Sequence, residues 1–434
     1  MTGVTRPTQD WRALLAVFWL TSMVEGIGVS QIFALLPAYL SQMGVAETDR
    51  LAFVGLFGSL IFIVGAPLVP LWGVWADKYS RKAVIIRSAI VEAVVFAAVA
   101  LSREPWQLAA SLLLIGLQLG NTGVMLAGIR DVAPKARLGT AIALFGASGA
   151  VGFAVGPALA GILVDGFGWS LPAVFAASSA LSLATALLVA VGSREIRPEV
   201  VPQGRVIDLA FGAVRGVLAD PTVRRIFAIF GIAFLANQMA RPYLPLLVEG
   251  VVRPGEALTS SIALVAGTAA LVGALVSPLG GALGDRIGFR PVLVAALLGG
   301  GVALGLMPAA PSVGTLALVA LAFGAFSSAV SAMVFGLLAI EIPPERRSAT
   351  LNLVYLPLYA AGIIGPATGS IVASVGGLPG PFLAGALILV FAALVVAARG
   401  RGAGRPAQAP AAVGSATPRP RRDSDASATD PAGD

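Results

Sequence analysis

The sequence predicts an all-α membrane protein: twelve transmembrane helices in two pseudo-symmetric six-helix bundles, followed by a disordered C-terminal tail. Three observations lead there. Of 434 residues, 57% are hydrophobic and only 12% charged, against about a quarter charged in soluble domains, and no water-soluble core can hide that much apolar surface. Apolar runs of about 20 residues, enough to cross a bilayer, recur from Ala13 to Ala398, nearly all free of charge. Finally, one segment occurs twice in register, at 70–82 and 278–290, an offset of 208 residues. Such an internal repeat marks a duplicated bundle.

Taken in order, the spans fall at roughly 13–40, 51–72, 83–101, 106–129, 138–164, 171–191, 226–248, 257–283, 291–308, 313–340, 349–373 and 379–398. The first is too long for a signal-peptide core and is read as a retained helix. The longest internal polar stretch, Arg194 to Arg225, contains apolar residues at helical spacing from Asp208 to Leu218. A short amphipathic helix on the membrane surface is expected there, joining the halves. The organisation is therefore an N-terminus (1–12), a first bundle (13–193), a linker (194–225), a second bundle (226–398) and a tail (399–434). The tail is rich in Pro, Ala, Gly, Ser and Arg and should be disordered.

With twelve spans both termini share one face, and that face collects nearly all Lys and Arg. The opposite face has only Arg50, Arg103 and Arg253, while Arg241 lies within a span. The positive-inside rule puts both termini in the cytoplasm of a cell with this protein in its inner membrane. The same rule explains the net charge of +7, so no nucleic-acid partner is implied. The chain has no Cys and no His, which removes disulfides, thiolate or imidazole metal sites and every Ser-His or Cys-His nucleophile. No enzyme activity, metal or cofactor is expected.

The repeated segment carries the chemistry. Its first copy reads Gly73-x-Trp75-Ala76-Asp77-Lys78-x-x-Arg81-Lys82, and its second Gly281-x-Leu283-Gly284-Asp285-Arg286-x-Gly288-x-Arg290. Asp77, placed just past the end of span two, can face the positive N-terminal end of another helix, and Arg81 can reach a second acid. These contacts are expected to form when the cytoplasmic side closes and to break when it opens. An acid in a positive-inside loop opposes the trend, which singles out Asp77.

Both copies resemble the loop signatures of the major facilitator superfamily, between helices two and three and between helices eight and nine. The resemblance covers about residues 12–398. It implies two bundles that rock around a central cavity binding a small-molecule substrate, with Asp131 at the end of span four answering Arg81 and helix eleven as the dipole partner of Asp77.

In span five, Gly149-Ala-Val-Gly152-Phe-Ala-Val-Gly156-Pro157-Ala-Leu-Ala160-Gly161 spaces small residues for close helix approach around a bending proline. The run resembles the antiporter signature of drug/proton exchangers, with Ala160 in place of a glycine. Span eleven has a similar run, Gly362 to Gly369, so duplication and packing alone are a second reading.

Ionisable residues inside spans mark function by default. Glu25, in span one, is the first choice for proton coupling, because desolvation favours the neutral form of an acid, as a proton carrier requires. Its surroundings, Gly26, Gly28 and Pro37, resemble the first helix of drug and tetracycline exporters. Glu92 in span three ranks second, since the resemblance has that helix facing lipid or the outer bundle. Arg241, near Asn237 and Gln238, is expected to bind an anionic group, to pair with Glu25, or to snorkel toward Tyr243. Gln31, Gln118 and Asn121 complete the polar cavity candidates, and Phe33 and Tyr355 the aromatic ones, with Phe145, Phe153, Phe234, Tyr243 and Tyr359 of the same type.

One departure stands out: the helix-four arginine of proton-coupled members is missing, with Leu112 or Gly116 in its place. The expected function is monomeric, proton-coupled efflux of small amphipathic compounds. Sugar or metabolite transport is the alternative, and a non-transporting receptor the reading from another class.

Overall fold

A computed structural model describes residues 10–198, 201–341, 353 and 355–400. Among the described residues there is no strand, and twelve helices are long and apolar enough to cross a membrane. They are α1 (Trp11–Gln42), α2 (Glu47–Lys78), α3 (Arg81–Leu101), α4 (Pro105–Val132), α5 (Lys135–Gly166), α6 (Leu171–Gly192), α7 (Pro221–Val251), α8 (Leu258–Ile287), α9 (Phe289–Ala309), α10 (Val313–Leu338), α11 (Leu356–Gly376) and α12 (Gly380–Ala398). The α2–α3 and α8–α9 loops, which carry the repeated segment, share one end of the bundle, the signature end.

Local chemistry sets the helix starts. Ser80, Ser170 and Asp220 accept hydrogen bonds from the first-turn amides of α3, α6 and α7, and Pro105, Pro172 and Pro221 occupy first-turn positions, where a missing N–H costs nothing. Three spans are interrupted by single 3₁₀ turns. In α2 the turn is Ala66–Leu68, in α4 it is Gly116–Gln118, and in α7 it is Arg241–Tyr243. Gly120, at φ +100°, then restarts α4, a left-handed conformation that glycine adopts without penalty.

Helix pairing repeats with a shift of six. In the first half α1 packs on α5 and α3 on α6; in the second, α7 packs on α11 and α9 on α12. Across the halves, α2 meets α11 and α5 meets α8. Lipid tails are as apolar as leucine, so close backbone approach and interhelical hydrogen bonds must hold such pairs together. A Cβ on Gly152 of α5 would stand 2.2 Å from the Met23 carbonyl oxygen, and one on Gly156 would stand 2.5 Å from that of Ile27.

Two of the boundaries that differ from expectation bear on the repeated segment. Helix α2 runs on to Lys78 and α8 to Ile287, so Asp77 and Asp285 lie in last turns and not beyond the helix ends. Residues 349–352, expected to open span eleven, and 401–434, expected to form the tail, lie outside the described residues. The linker helix is Val206–Ala219; it packs on the last part of α2 and on α7, with Ile207 and Phe211 exposed. That is the arrangement expected of a helix lying on a membrane surface.

Candidate functional site

Glu25 lies near the middle of α1 and is half-buried. Its Oε1 accepts from Asn121 Nδ2 and, at 3.4 Å, from Ser88 Oγ. Asn121 is the first residue after the α4 restart at Gly120, so the interruption of α4 aims it at the acid. The carbonyls freed by that interruption need donors, because lipid supplies none. Ser88 Oγ donates to the Gln118 carbonyl at 2.5 Å, and Arg87 Nη2 donates to those of Gln118 and Leu119 at 3.3 and 3.2 Å. The Arg87 guanidinium lies 3.7 Å from the centroid of the Trp72 ring. Arg87 is thus the arginine beside the acid, reached from α3. Helix four has no space for one: a Cβ on Gly116 would already stand 2.7 Å from the backbone of Gly65, and Leu112 is fully buried.

Glu92 corrects the expectation of a lipid-facing or outer position. It is 1% exposed and faces α1, where a Cβ on Gly28 would come within 2.9 Å of its Oε1, an oxygen with no hydrogen-bond partner among the described residues.

The polar cavity candidates divide into two groups. Gln31, Gln118, Asn121 and Gln238 are buried. Gln31 Nε2 donates to the Gly156 carbonyl at 3.2 Å and its Oε1 accepts from Ser178 Oγ at 2.5 Å, which ties α1 to α5 and α6. Gln238 packs against Gly365 of α11. Asn237, Arg241 and Tyr355 keep partial exposure. Arg241 pairs with neither Glu25 nor any other acid among the described residues, and it does not extend toward a surface. Its guanidinium carbon sits 4.2 Å from the Phe33 ring centroid and 4.5 Å from that of Phe153, so a second-half cation rests between two first-half rings.

At the signature end, Arg81 is 3% exposed and bridges two acids: Nη2 to Asp77 Oδ1 at 2.8 Å and Nη1 to Asp131 Oδ2 at 2.7 Å. Its backbone N–H donates to Glu195 at 2.9 Å, and Glu195 also accepts from Ser80 Oγ. Lys82 donates to the Ala190 and Ser193 carbonyls at the end of α6, and Lys78 to the Gly204 carbonyl. Every one of these contacts lies within the first half and the linker. The cluster therefore fastens α2, α3, α4 and α6 to one another, and it is formed while the two halves are packed together elsewhere.

The second copy differs. Asp285 and Arg286 are exposed and have no ion pair among the described residues, Arg290 is exposed, and Gly288, at φ +96°, turns the chain where the first copy has Ser80 as a helix cap. Gly73 and Gly281 have open space where a side chain would be.

The halves join at the opposite end and midway. Arg50 and Glu249 pair at 3.2 Å between α2 and α7, beside a cavity of about 360 Å³. Asp165 accepts from Ser260 N and Oγ at 2.6 and 2.8 Å between α5 and α8, with Gly161 beside Ser260. Ser59 Oγ and Ser370 Oγ donate across the α2–α11 seam to the Ile363 and Ala52 carbonyls.

The antiporter-like run also has a twin in this geometry. Gly365 and Gly369 of α11 approach the α7 backbone at Met239 as Gly152 and Gly156 approach that of α1. Pro157 is buried in the same seam. Among the described residues no group of three acids converges to hold a metal ion. Arg87, Ser88, Ser178 and Glu195 form no motif in sequence; only the interruption of α4 and the packing of α6 reveal them.

Comparison with known proteins agrees with this architecture. The family description Major Facilitator Superfamily matches residues 14–253 and 226–425. The multidrug resistance protein MdtG of Enterobacter lignolyticus is 28% identical over 390 residues, 89% of this chain and 91% of that protein. MdtG of Citrobacter koseri is 32% identical over 294 residues, 67% of this chain and 70% of its own. Among solved structures, the nucleoside transporter NupG superposes with a TM-score of 0.74 at 14% identity, covering 89% of this chain and 99% of that one. A bacterial homologue of the human lysosomal transporter Spinster gives 0.72 at 16%, covering 91% and 98%. At such identities the structures speak for the fold alone. The chain belongs to the Major Facilitator Superfamily and is a multi-pass membrane transporter, not an enzyme.

Proposed function

We propose that this transporter exports small amphipathic compounds from the cytoplasm in exchange for protons, as a monomer in the inner membrane with both termini inside. The observation that carries the reading is Glu25: a half-buried carboxyl midway along α1, held by Asn121 and Ser88 beside Arg87. Similarity to relatives named multidrug resistance proteins supports the substrate class and direction. Burial of Gln31, Gln118, Asn121 and Gln238 weighs against a sugar reading, which needs those groups free to bind hydroxyls. The glycine run of α5 adds nothing on direction, since α11 uses the same seam for packing.

The distribution of Lys and Arg puts the signature end in the cytoplasm. On that sidedness the halves are fastened at the periplasmic side by Arg50–Glu249 and Asp165–Ser260, and the Asp77–Arg81–Asp131 cluster stiffens the cytoplasmic end of the first half. In the cycle, Glu25 releases its proton inward, substrate enters, the halves rock outward, and reprotonation of Glu25 displaces the substrate. Glu92 is a second proton acceptor for the same step.

The test is Glu25→Gln. Proton-driven accumulation of a fluorescent amphipathic substrate in everted vesicles is expected to vanish while the variant still reaches the membrane. Full activity in that variant would show that protons couple elsewhere or not at all.

A further inference from the structure

Among the described residues Arg241 has no acidic partner and no hydrogen-bond acceptor. It sits on the 3₁₀ turn Arg241–Tyr243 that interrupts α7, well inside the bundle, and Tyr243 beside it is fully buried. Its described contacts are the two rings, Phe33 of α1 and Phe153 of α5. Ring faces can stabilise the flat sides of a guanidinium, but the N–H donors around its edge meet no acceptor among the described residues, and the side chain keeps partial exposure. An intramembrane cation without a counter-charge is unfavourable. Stacking between rings also fixes the plane of the fork, and a fixed planar fork matches a carboxylate in two-point geometry.

Position adds a second argument. Phe33 follows Glu25 by eight residues, about 12 Å along the axis of α1, so the place where an anion would sit is separate from the acid. The three contributing helices come from both halves, and the subsite is complete only when the halves meet.

We propose that Arg241, held between Phe33 and Phe153, is the subsite for one anionic group, a carboxylate or sulfonate, on an aromatic or otherwise apolar transported compound. The proposal rests on the export reading only in taking the space around Arg241 as the transport path. A compound with both charge signs would present its cation toward Glu25 and its anion to Arg241.

The experiment titrates the full-length protein in lipid nanodiscs at neutral pH with three probes that share one apolar body: 2-naphthoate, methyl 2-naphthoate and 2-naphthylmethylammonium. Wild type is expected to bind naphthoate at least about ten-fold more tightly than the ester, a gap typical of one charge-assisted pair. Arg241→Gln is expected to erase that gap, bringing naphthoate affinity down to that of the ester in the same variant. Equal or absent binding of naphthoate and ester by wild type, or a gap that persists in Arg241→Gln, overturns the proposal and leaves Arg241 as a clip between the halves. The wild-type comparison needs no variant, so a misfolded Arg241→Gln does not remove the test. Arg241→Lys, which keeps the charge without the fork, is the second variant, and its preference is expected to shrink. Proton-driven accumulation of the same probes in everted vesicles is scored separately: its failure with the naphthoate preference intact sinks the export reading and spares the subsite.

Discussion

Replacing Gly152 by alanine tests the seam on which the first half depends. The added Cβ would stand 2.2 Å from the Met23 carbonyl oxygen, 2.9 Å from Gly26 Cα and 3.0 Å from Ile27 N, where ordinary contact begins near 3.4 Å. These are backbone atoms of α1 and no rotamer change relieves them, so α1 and α5 must part by about 1 Å along a seam that also includes Gly156. Overpacking of this kind costs about 1–3 kcal/mol, and a clash with backbone belongs at the upper end. Alanine returns up to about 1 kcal/mol through helix propensity, so the net loss is about 2 kcal/mol. At about 2.1 cal/mol/K per residue the 434-residue chain has an unfolding entropy of about 0.9 kcal/mol/K, so the midpoint falls by about 2 °C. The assay is intrinsic tryptophan fluorescence during heating in one detergent at one scan rate, since membrane proteins unfold irreversibly. Gly146→Ala is the control: it lies in the same helix, and its Cβ would meet open space. If Gly152→Ala unfolds at the same temperature as Gly146→Ala, the two helices are not in backbone contact and the account of the seam is wrong.

The two copies of the repeated segment are expected to respond unequally. Asp77→Asn removes one of the two acids on a nearly buried arginine, whereas Asp285 is exposed without an ion pair among the described residues; transport in proteoliposomes is expected to fall several-fold in Asp77→Asn and little in Asp285→Asn, and equal losses would show that the first copy is not the principal brace. At the opposite end, Arg50→Gln is expected to cost less than about 1 kcal/mol in stability, because Glu249 is 38% exposed and solvent screens the pair. The same change loosens a cross-half fastening, so a cysteine placed at Leu378, which lines the adjacent cavity, should be labelled faster. The chain has no native cysteine to confuse that measurement, and an unchanged labelling rate would mean that the ion pair does not hold the halves together.

What could be read from the sequence follows from how far each signal reaches. Hydropathy along a span is local, and it placed twelve helices to within a few residues at most ends. The repeated segment is local too, and an acid such as Asp131 at the end of a span, in a basic loop, stands out against its surroundings. The interruption of α4 at Gly116–Gln118 is different in kind, because glycine is common in membrane helices and hydropathy does not register a 3₁₀ turn. Once that turn is missed, the role of Arg87 is missed with it, since Arg87 is fastened by the carbonyls the turn frees. A polar residue in an apolar span has two outcomes, facing a cavity or bonding a neighbouring helix. For Gln31 the choice is made by Ser178, at a sequence separation of 147. No local pattern carries that information.

The concentration of these contacts on α1 bears on how a proton could move two bundles. Glu25 is bonded to α4 and α3 through Asn121 and Ser88, and Gly28 of the same helix lies against Glu92 of α3. Gly26 and Gly152 fix α1 on α5, and Gln31 fixes it on α6. Two residues further, Phe33 lies under Arg241 of the other half. A change in charge at Glu25 is therefore made on a helix clamped to its own half along most of its length, with backbone contacts that leave no slack for it to bend alone. Such a helix transmits force by moving with its bundle, and its Phe33 meets the other half through a cation resting on two rings, while α2–α11 and α5–α8 join the halves themselves. Rigid clamping of α1 within its half favours rocking of the whole bundle over local distortion of the helix, which is the motion that alternating access requires.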